Sequence, residues 1–196
     1  MGTYEISASR HARDWIDTSR LLEERTYLAR IVEEFVQVLR RELGAEAAPV
    51  IVGEGYPGLV LASHIGFVGG FRTTYVVPPR EEKERTSHER TVEIPDGADI
   101  VLVCDVVAEG TTLGETINFL ESEAGVQKER LKLILTVFRR KPYKESDLLP
   151  DEIAAKVRAL NSGFDIQLCR QTPADCLLLS NDLVKVINRT ILDHRL

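Results

Sequence analysis

The segment from Val101 to Leu113 combines the residue types that bind a phosphate ester. It has the pattern of a buried apolar strand, an acid at Asp105, a short turn containing Gly110 and the start of a helix. The backbone N–H groups of such a turn point outward and the helix dipole favours an anion, so the turn can hold a phosphate. The hydroxyls of Thr111 and Thr112 can add hydrogen bonds, and Asp105 can bind ribose hydroxyls or a metal-bound water. The same pattern is also typical of an acidic cap on a helix that follows a strand, and spacing alone does not separate the two interpretations.

A second candidate is the charged segment at residues 78–91. Residues 80–90 contain no apolar residue, and they include the basic residues Lys83 and Arg85 together with His88. This composition predicts a solvated loop, which follows a proline pair that breaks the preceding strand.

Alternating helices and strands must position these segments. The spacing of apolar residues predicts helices over 21–43, 59–68, 112–124, 151–160 and 181–192, and strands over 49–53, 72–77, 91–94, 100–104, 131–138, 164–169 and 176–179. Buried strands separated by helices indicate a parallel α/β sheet. In open sheets of this class, ligands bind outside the carboxyl ends of the strands. The strand ends after Val52, Val77 and Cys104 are therefore the expected positions of a site.

Composition favours a single globular domain over residues 1–196. The chain is 43% hydrophobic and 29% charged, with a net charge of −6, and this acidic balance argues against a dedicated nucleic-acid binder. No apolar run has the length of a membrane-spanning helix, and residues 1–20 have no signal-peptide core, so a cytoplasmic location and no membrane partner are expected. Cys104, Cys169 and Cys176 are odd in number and lack C-x-x-C spacing, which argues against a disulfide framework and a structural zinc site.

Three segments together resemble a known enzyme family. Residues 104–112, Cys-Asp-Val-Val-Ala-Glu-Gly-Thr-Thr, resemble the phosphoribosyl-diphosphate (PRPP) signature of the type I phosphoribosyltransferases. Residues 52–62 are similar to the pyrophosphate loop of the orotate phosphoribosyltransferases, and residues 8–17 are similar to the hood segment of that subfamily. The order of the segments agrees as well, and the resemblance covers about residues 5–138.

The resemblance implies a fold and a reaction. The fold would be a central, mostly parallel sheet flanked by helices, with a small hood from about residues 1–20 and a C-terminal contribution left open. The reaction would be transfer of ribose 5-phosphate from PRPP to a nitrogenous base, orotate or a related pyrimidine, with release of pyrophosphate. Mg²⁺ would be the cofactor, held by Asp105 indirectly through PRPP, and the assembly would be a homodimer.

The resemblance also implies roles for individual residues. The PRPP-binding residues would be Asp105, Val107, Ala108, Glu109, Gly110, Thr111 and Thr112, together with Gly55, Tyr56, Pro57 and Gly58. The catalytic residues would be Asp105 and, delivered by closure of a flexible loop over about residues 78–91, Lys83, Arg85 and His88. The residues that meet the acceptor base would be Arg10, His11 and Trp15.

Three positions in the two predicted PRPP-binding segments depart from the family pattern. Cys104 replaces the first acid of the usual pair, and Glu109 stands where a small or hydroxylated residue is common. Pro57 stands where orotate enzymes commonly carry lysine, and a proline there lowers the cost of a cis peptide after Tyr56. Two alternatives to an active enzyme therefore remain: a sensor that binds PRPP or a nucleotide without catalysis, and a partner-binding subunit without a ligand.

Overall fold

The computed structural model describes residues 4–7, 10–12, 18, 22–77, 93–108, 110–140 and 149–164. At the N-terminus, strands β1 (Tyr4–Ser7) and β2 (Arg10–Ala12) form an antiparallel hairpin. This hairpin falls within the segment predicted to form the hood.

A five-stranded parallel sheet forms the centre of the fold. In chain order its strands are β3 (Val50–Glu54), β4 (Arg72–Val76), β5 (Ile100–Val107), β6 (Leu131–Arg140) and β7 (Val157–Phe164). Across the sheet the order is β4-β3-β5-β6-β7, and every neighbouring pair is parallel. The predicted parallel α/β architecture is confirmed.

Helices cover both faces of this sheet. They are α1 (Arg25–Leu43), α2 (Gly55–Gly69), α3 (Thr111–Ser122) and the short α4 (Asp151–Ala154). On β5, Val101 and Val103 pack with α1 and α2 in one hydrophobic cluster, whereas Ile100 and Leu102 pack with α3 and α4 in another. Because strand side chains alternate between faces, this division gives three layers, with apolar residues on both faces of the central strand. Across the described ranges, no helix combines the length and apolar character needed to cross a bilayer.

The predicted helix over 151–160 is wrong beyond its first turn. Helix α4 ends at Ala154, and β7 follows and pairs with β6. Val157 and Leu160 fit a helical spacing, but a strand also buries Val157. Without β7, the backbone N–H and C=O groups along one side of β6 would lose their partners, so sheet pairing outweighs the local pattern.

Other predicted elements at the edges of the sheet have different outcomes. The strand predicted over 91–94 is absent from its described residues, Glu93 and Ile94, and the next residue, Pro95, has no N–H with which to extend a ladder. Apart from Phe164, which ends β7, the predicted strands over 164–169 and 176–179 and the helix over 181–192 lie outside the described residues.

Candidate functional site

The sheet reverses its winding direction between β3 and β5. From β3 the chain crosses to β4 on one side, and from β5 it crosses to β6 on the other. Helices α2 and α3, which follow β3 and β5, pack on opposite faces and both begin at the carboxyl edge of the sheet. Open α/β sheets bind ligands in the crevice at such a switch point. The predicted strand ends after Val52 and Cys104 flank this crevice, whereas Val77 follows the outer strand β4.

Strand β5 extends past β3 at the crevice. The pairing of β3 with β5 ends at Gly53 and Val103, whereas the pairing of β5 with β6 continues to Val107. Asp105 therefore lies within a strand, not directly after one as the predicted strand end implied. The stretch after Val103 lies beyond the β3 ladder, on the side of the switch point.

Asp105 is the acid of the crevice. Its Oδ2 accepts a hydrogen bond from Thr18 Oγ1 at 2.5 Å, and its Oδ1 accepts one from the backbone N–H of Val106 at 2.9 Å. Burial raises the pKa of the Asp105 carboxyl, whereas the hydrogen bonds from Thr18 and from the backbone lower it. The carboxylate is held by donors that favour its charged form, and its oxygens have further lone pairs for a ligand hydroxyl.

Sequence reasoning missed the contact with Thr18. The residue lies 87 positions before Asp105 and is only 4% exposed. Its hydroxyl donates to the carboxylate as a sugar hydroxyl would. No local pattern around Thr18 indicates this contact, because the partner is brought in by the tertiary fold.

The predicted diphosphate loop forms the first turn of α2. The helix begins at Gly55, earlier than the predicted start at residue 59, and Gly55 has a φ of 63°, which favours glycine. The N–H groups of a first helical turn have no partner within the helix. Gly55, Tyr56 and Gly58 can therefore present N–H donors to an anion, whereas Pro57 has none. The peptide between Tyr56 and Pro57 is trans, so the lower cost of a cis peptide before proline is not used here.

Two glycines bring this turn against the sheet. A Cβ on Gly58 would lie 2.5 Å from the carbonyl oxygen of Val103, and a Cβ on Gly53 would lie 2.5 Å from the carbonyl oxygen of Gly58. Carbon atoms do not approach backbone oxygens so closely. Glycine at both positions is thus what lets α2 begin beside β3 and β5.

The predicted 5′-phosphate loop leads from β5 into α3. Val107 is buried, Ala108 is exposed, and Glu109 lies outside the described residues. Gly110 has a φ of 81°, and a Cβ there would lie 2.3 Å from Cγ of Leu149. The backbone angle favours glycine at this turn, and the Leu149 side chain would have to move to admit a larger residue.

Thr111 and Thr112 open α3, which begins one residue before the predicted start at 112. Thr111 Oγ1 is buried and has no hydrogen-bond partner among the residues that the structure describes. A buried hydroxyl without a partner costs about 1–3 kcal/mol, and a phosphate oxygen at the helix N-terminus would satisfy it. Thr112 is exposed. The hydroxyl of Thr111 is therefore the feature of this turn that fits an anionic ligand best.

A buried polar pair at the crevice was not predicted. Thr116 Oγ1 donates to Glu54 Oε1 at 3.0 Å, and the two residues are 0% and 8% exposed. Burial raises the pKa of the neighbouring Cys104 thiol well above its usual value, and the Glu54 and Asp105 carboxylates raise it further. Cys104 is therefore a protonated thiol and not a nucleophile. The signal in the sequence was an ionisable residue, Glu54, at the end of an otherwise apolar strand.

The relatives found by sequence comparison include two different enzymes. No protein-family model matches the chain. An orotate phosphoribosyltransferase from Bifidobacterium longum is 31% identical over 150 residues, which are 68% of this chain and 63% of that protein. The chain spans 48–63% of the length of the first three curated relatives. A 3-hexulose-6-phosphate synthase from Staphylococcus haemolyticus is 24% identical over 163 residues, 83% of this chain and 70% of that protein.

Solved structures decide the fold. Orotate phosphoribosyltransferase from Aeropyrum pernix superposes with a TM-score of 0.57 at 21% identity, covering 82% of this chain and 85% of that chain. An APRTase from Giardia lamblia complexed with 9-deazaadenine gives a TM-score of 0.58 at 16% identity, covering 82% and 91%. The chain has the type I phosphoribosyltransferase fold. The resemblance predicted from the sequence is confirmed, but these two structures are equally similar, so the phosphoribosyltransferase fold does not select the acceptor base.

The described structure does not test the roles of several residues that the resemblance assigns to a phosphoribosyltransferase site. Arg10 and His11 belong to β2, where they pair with Ser7 and Glu5 of β1. The other predicted residues lie outside the described ranges, namely Trp15, Lys83, Arg85, His88 and Glu109. The roles of all these residues stay predictions.

The described part of the phosphoribosyltransferase fold holds no cluster of three or more His, Cys, Asp or Glu side chains suited to a metal ion. Asp105 supplies carboxylate oxygen atoms, which Mg²⁺ prefers. Mg²⁺ commonly keeps several waters and binds substrate phosphates, with one or two carboxylates from the protein. The residues fit a Mg²⁺ ion held mainly by substrate and water, with Asp105 as an indirect contact.

Proposed function

We propose that this chain is a phosphoribosyltransferase that transfers ribose 5-phosphate from PRPP to a nitrogenous base and releases pyrophosphate. Orotate or a related pyrimidine is the proposed acceptor. The observation that carries the proposal is the switch-point crevice, where two helices begin and where Asp105 lies in the part of β5 that extends past β3. PRPP matches this arrangement, because it has a 5′-phosphate and a diphosphate for the two helix starts and, between them, a ribose whose hydroxyls can donate to Asp105.

The turn before α3 is the proposed 5′-phosphate site. Its backbone N–H groups, from Val107 to Thr112, would surround the phosphate, and the buried hydroxyl of Thr111 would donate to one of its oxygens. Asp105 would accept hydrogen bonds from the ribose hydroxyls. Such contacts position the sugar with its C1 carbon toward the start of α2.

The first turn of α2, Gly55 to Gly58, is the proposed diphosphate site. During transfer, the bond between ribose C1 and the diphosphate oxygen breaks, and pyrophosphate leaves with the bonding electrons. A bond forms between C1 and a nitrogen of the base, which loses its proton. Charge separates in this step, so N–H donors that face the departing pyrophosphate stabilise the transition state. Mg²⁺ bound with PRPP would neutralise part of the diphosphate charge.

The remaining parts of the proposal rest on the resemblance. The loop at about residues 78–91 would close over the diphosphate, bring Lys83, Arg85 or His88 to it and exclude water. Arg10, His11 and Trp15 would meet the base, and the active assembly would be a homodimer.

Calorimetric titration with PRPP and Mg²⁺ tests the proposal, followed by pyrophosphate release with orotate and a panel of free bases. Binding together with release for one base would establish the transferase and name its acceptor. Binding without release for any base would overturn the transferase and favour a sensor. The absence of any binding would overturn both.

A further inference from the structure

We propose that Glu54 and Thr116 are positioning residues that hold the two anion-binding turns of the crevice at a fixed separation. The inference rests on the proposed function, because it concerns a substrate with two anionic groups. Neither residue contacts the reacting atoms in this proposal. They act through the turn that starts α2 and the turn that starts α3.

The two residues lie close to the starts of the two helices that flank the crevice. Glu54 ends β3 and directly precedes Gly55, the first residue of α2. Thr116 lies in the second turn of α3, after the Thr111 start. Their hydrogen bond of 3.0 Å joins residues 62 positions apart, so it connects the residue before α2 with the second turn of α3.

This bond lies where the backbone ladder has ended. The last β3–β5 pair in the described register is Gly53 with Val103. Beyond that pair, the strand-to-strand hydrogen bonds no longer fix the distance between the two halves. The Glu54–Thr116 hydrogen bond lies just past this point and continues the connection between them.

The burial of the pair indicates a role besides stability. Thr116 and Glu54 are 0% and 8% exposed, and apolar residues such as Val52 and Ile117 form the cluster on the same face. A buried carboxylate costs free energy unless it is hydrogen-bonded, and apolar replacements for buried polar pairs are often as stable or more stable. A hydrogen bond is directional, however, so it fixes a distance that an apolar contact would leave variable.

The proposal predicts different effects on the affinity of a ligand that contacts both turns and of a ligand that contacts only one. PRPP must contact both turns at once, so its affinity depends on the separation between them. Ribose 5-phosphate contacts the α3 turn, and inorganic pyrophosphate contacts the α2 turn. Their affinities are insensitive to that separation.

Three variants test this difference by calorimetry with PRPP, ribose 5-phosphate and inorganic pyrophosphate at constant Mg²⁺. Thr116→Val removes the donor and nearly keeps the shape, whereas Thr116→Ser keeps the hydroxyl and Glu54→Gln keeps an acceptor oxygen. We expect Thr116→Val to weaken PRPP binding about tenfold or more, because misplacement of binding groups by a fraction of an ångström is costly. The two single-turn ligands should change by about twofold at most in Thr116→Val, and Thr116→Ser and Glu54→Gln should bind all three ligands like the wild type.

Several results would overturn the inference. Unchanged PRPP affinity in Thr116→Val, or an equal loss for all three ligands, would show that the pair serves folding alone. Melting temperatures recorded in parallel identify a variant that fails to fold, and Thr116→Ala then takes the place of Thr116→Val. A wild-type chain that binds none of the three ligands would overturn the proposed function itself, which is a different result from a variant that binds normally.

Discussion

At the scale of single residues, Asp105 combines two opposing influences. Burial disfavours its charge, whereas the hydroxyl of Thr18 and the N–H of Val106 stabilise it. The balance keeps a carboxylate available at the crevice that is less acidic than an exposed aspartate. Substitutions of Asp105 that keep the shape of the side chain separate its role in binding from its role in the fold.

We expect Asp105→Asn to weaken PRPP binding while leaving the fold intact. The asparagine oxygen can still accept from the N–H of Val106, and its NH₂ can donate to the hydroxyl of Thr18, which reverses its role. The charge is lost, and hydrogen bonds to a charged group contribute about 1.5–3 kcal/mol, so affinity should fall by roughly tenfold to a hundredfold. Calorimetry and a melting curve on the same sample measure the two effects. Wild-type affinity in the variant would show that the acid at this position is scaffold only.

We expect Thr18→Val to shift the acid limb of PRPP binding to higher pH. The Thr18 hydrogen bond lowers the pKa of Asp105, which burial has already raised, so its removal raises that pKa further. In the proposed function the ionised form accepts the ribose hydroxyls, so PRPP binding should be lost as the pH falls through this pKa, and the loss should begin at a higher pH in the variant. The pKa of Asp105 is higher in the folded state than in the unfolded state. Its contribution to the free energy of unfolding is therefore fully present below the unfolded-state pKa and is lost as the pH rises through the folded-state pKa.

Titrations at a series of pH values, with Thr18→Ser as the matched control, measure the Thr18→Val shift. Serine keeps the donor, so its profile should follow the wild type. A valine profile that superposes on the serine profile would contradict the assignment of Thr18 as a partner of the acid.

The residues of the crevice differ in how far the sequence predicts them. Asp105 and Thr111 belong to one local pattern of strand, acid, turn and helix, so their proximity follows from chain connectivity. Thr18 and the Glu54–Thr116 pair depend on contacts between residues 87 and 62 positions apart. Such contacts can be predicted only from the tertiary fold, because residue spacing along the chain does not indicate them.

At the scale of elements, the start of α2 depends on close packing that a single methyl group would prevent. We expect Gly58→Ala to destabilise the fold by about 1–3 kcal/mol, because its Cβ meets a backbone carbonyl that cannot move aside easily. Gly114→Ala is the matched control, since Gly114 lies within α3 and a Cβ there would meet nothing within 4 Å. Alanine is the better helix former, so this control should gain about 0.5–1 kcal/mol.

Urea unfolding measures both glycine variants as shifts in the midpoint. Equal effects of the two substitutions would show that α2 can move away from β5 without a loss of folding stability. The opposite signs expected here would show instead that the diphosphate turn is held rigidly against the sheet.

Local periodicity predicts strands β3, β4 and β5 well and the last strand, β7, poorly. Apart from Glu54 and Asp105, strands β3 and β5 contain no charged or polar residue, as the buried centre of a parallel sheet requires. In the outer strand β7, the spacing of Val157 and Leu160 also suits a helix, and only the neighbouring strand β6 decides between them. The early start of α2 has a similar origin, because Gly55 and Gly58 are poor helix formers whose place is set by packing.

At the scale of the whole molecule, the proposed substrate would bridge two halves of the sheet. One half contains β3, β4 and α2, and the other contains β5, β6, β7 and α3. A ligand that contacts the first turns of α2 and α3 adds a connection between these halves at the edge where β3–β5 pairing has ended. It binds the folded chain and has no site on the unfolded one, so binding and stability must be linked.

We therefore expect PRPP with Mg²⁺ to raise the melting temperature of the whole domain. At a ligand concentration of about 100 times Kd, linkage gives about 2.7 kcal/mol of added stability. For a chain of this size each kcal/mol corresponds to roughly 2–4 °C, so the rise should be roughly 5–10 °C. Differential scanning calorimetry over a series of PRPP concentrations measures it, with Asp105→Asn as the control that shows a smaller rise at equal concentration. A melting temperature that stays constant while titration shows binding would mean that PRPP binds the unfolded chain equally well, and the crevice would then not be its site.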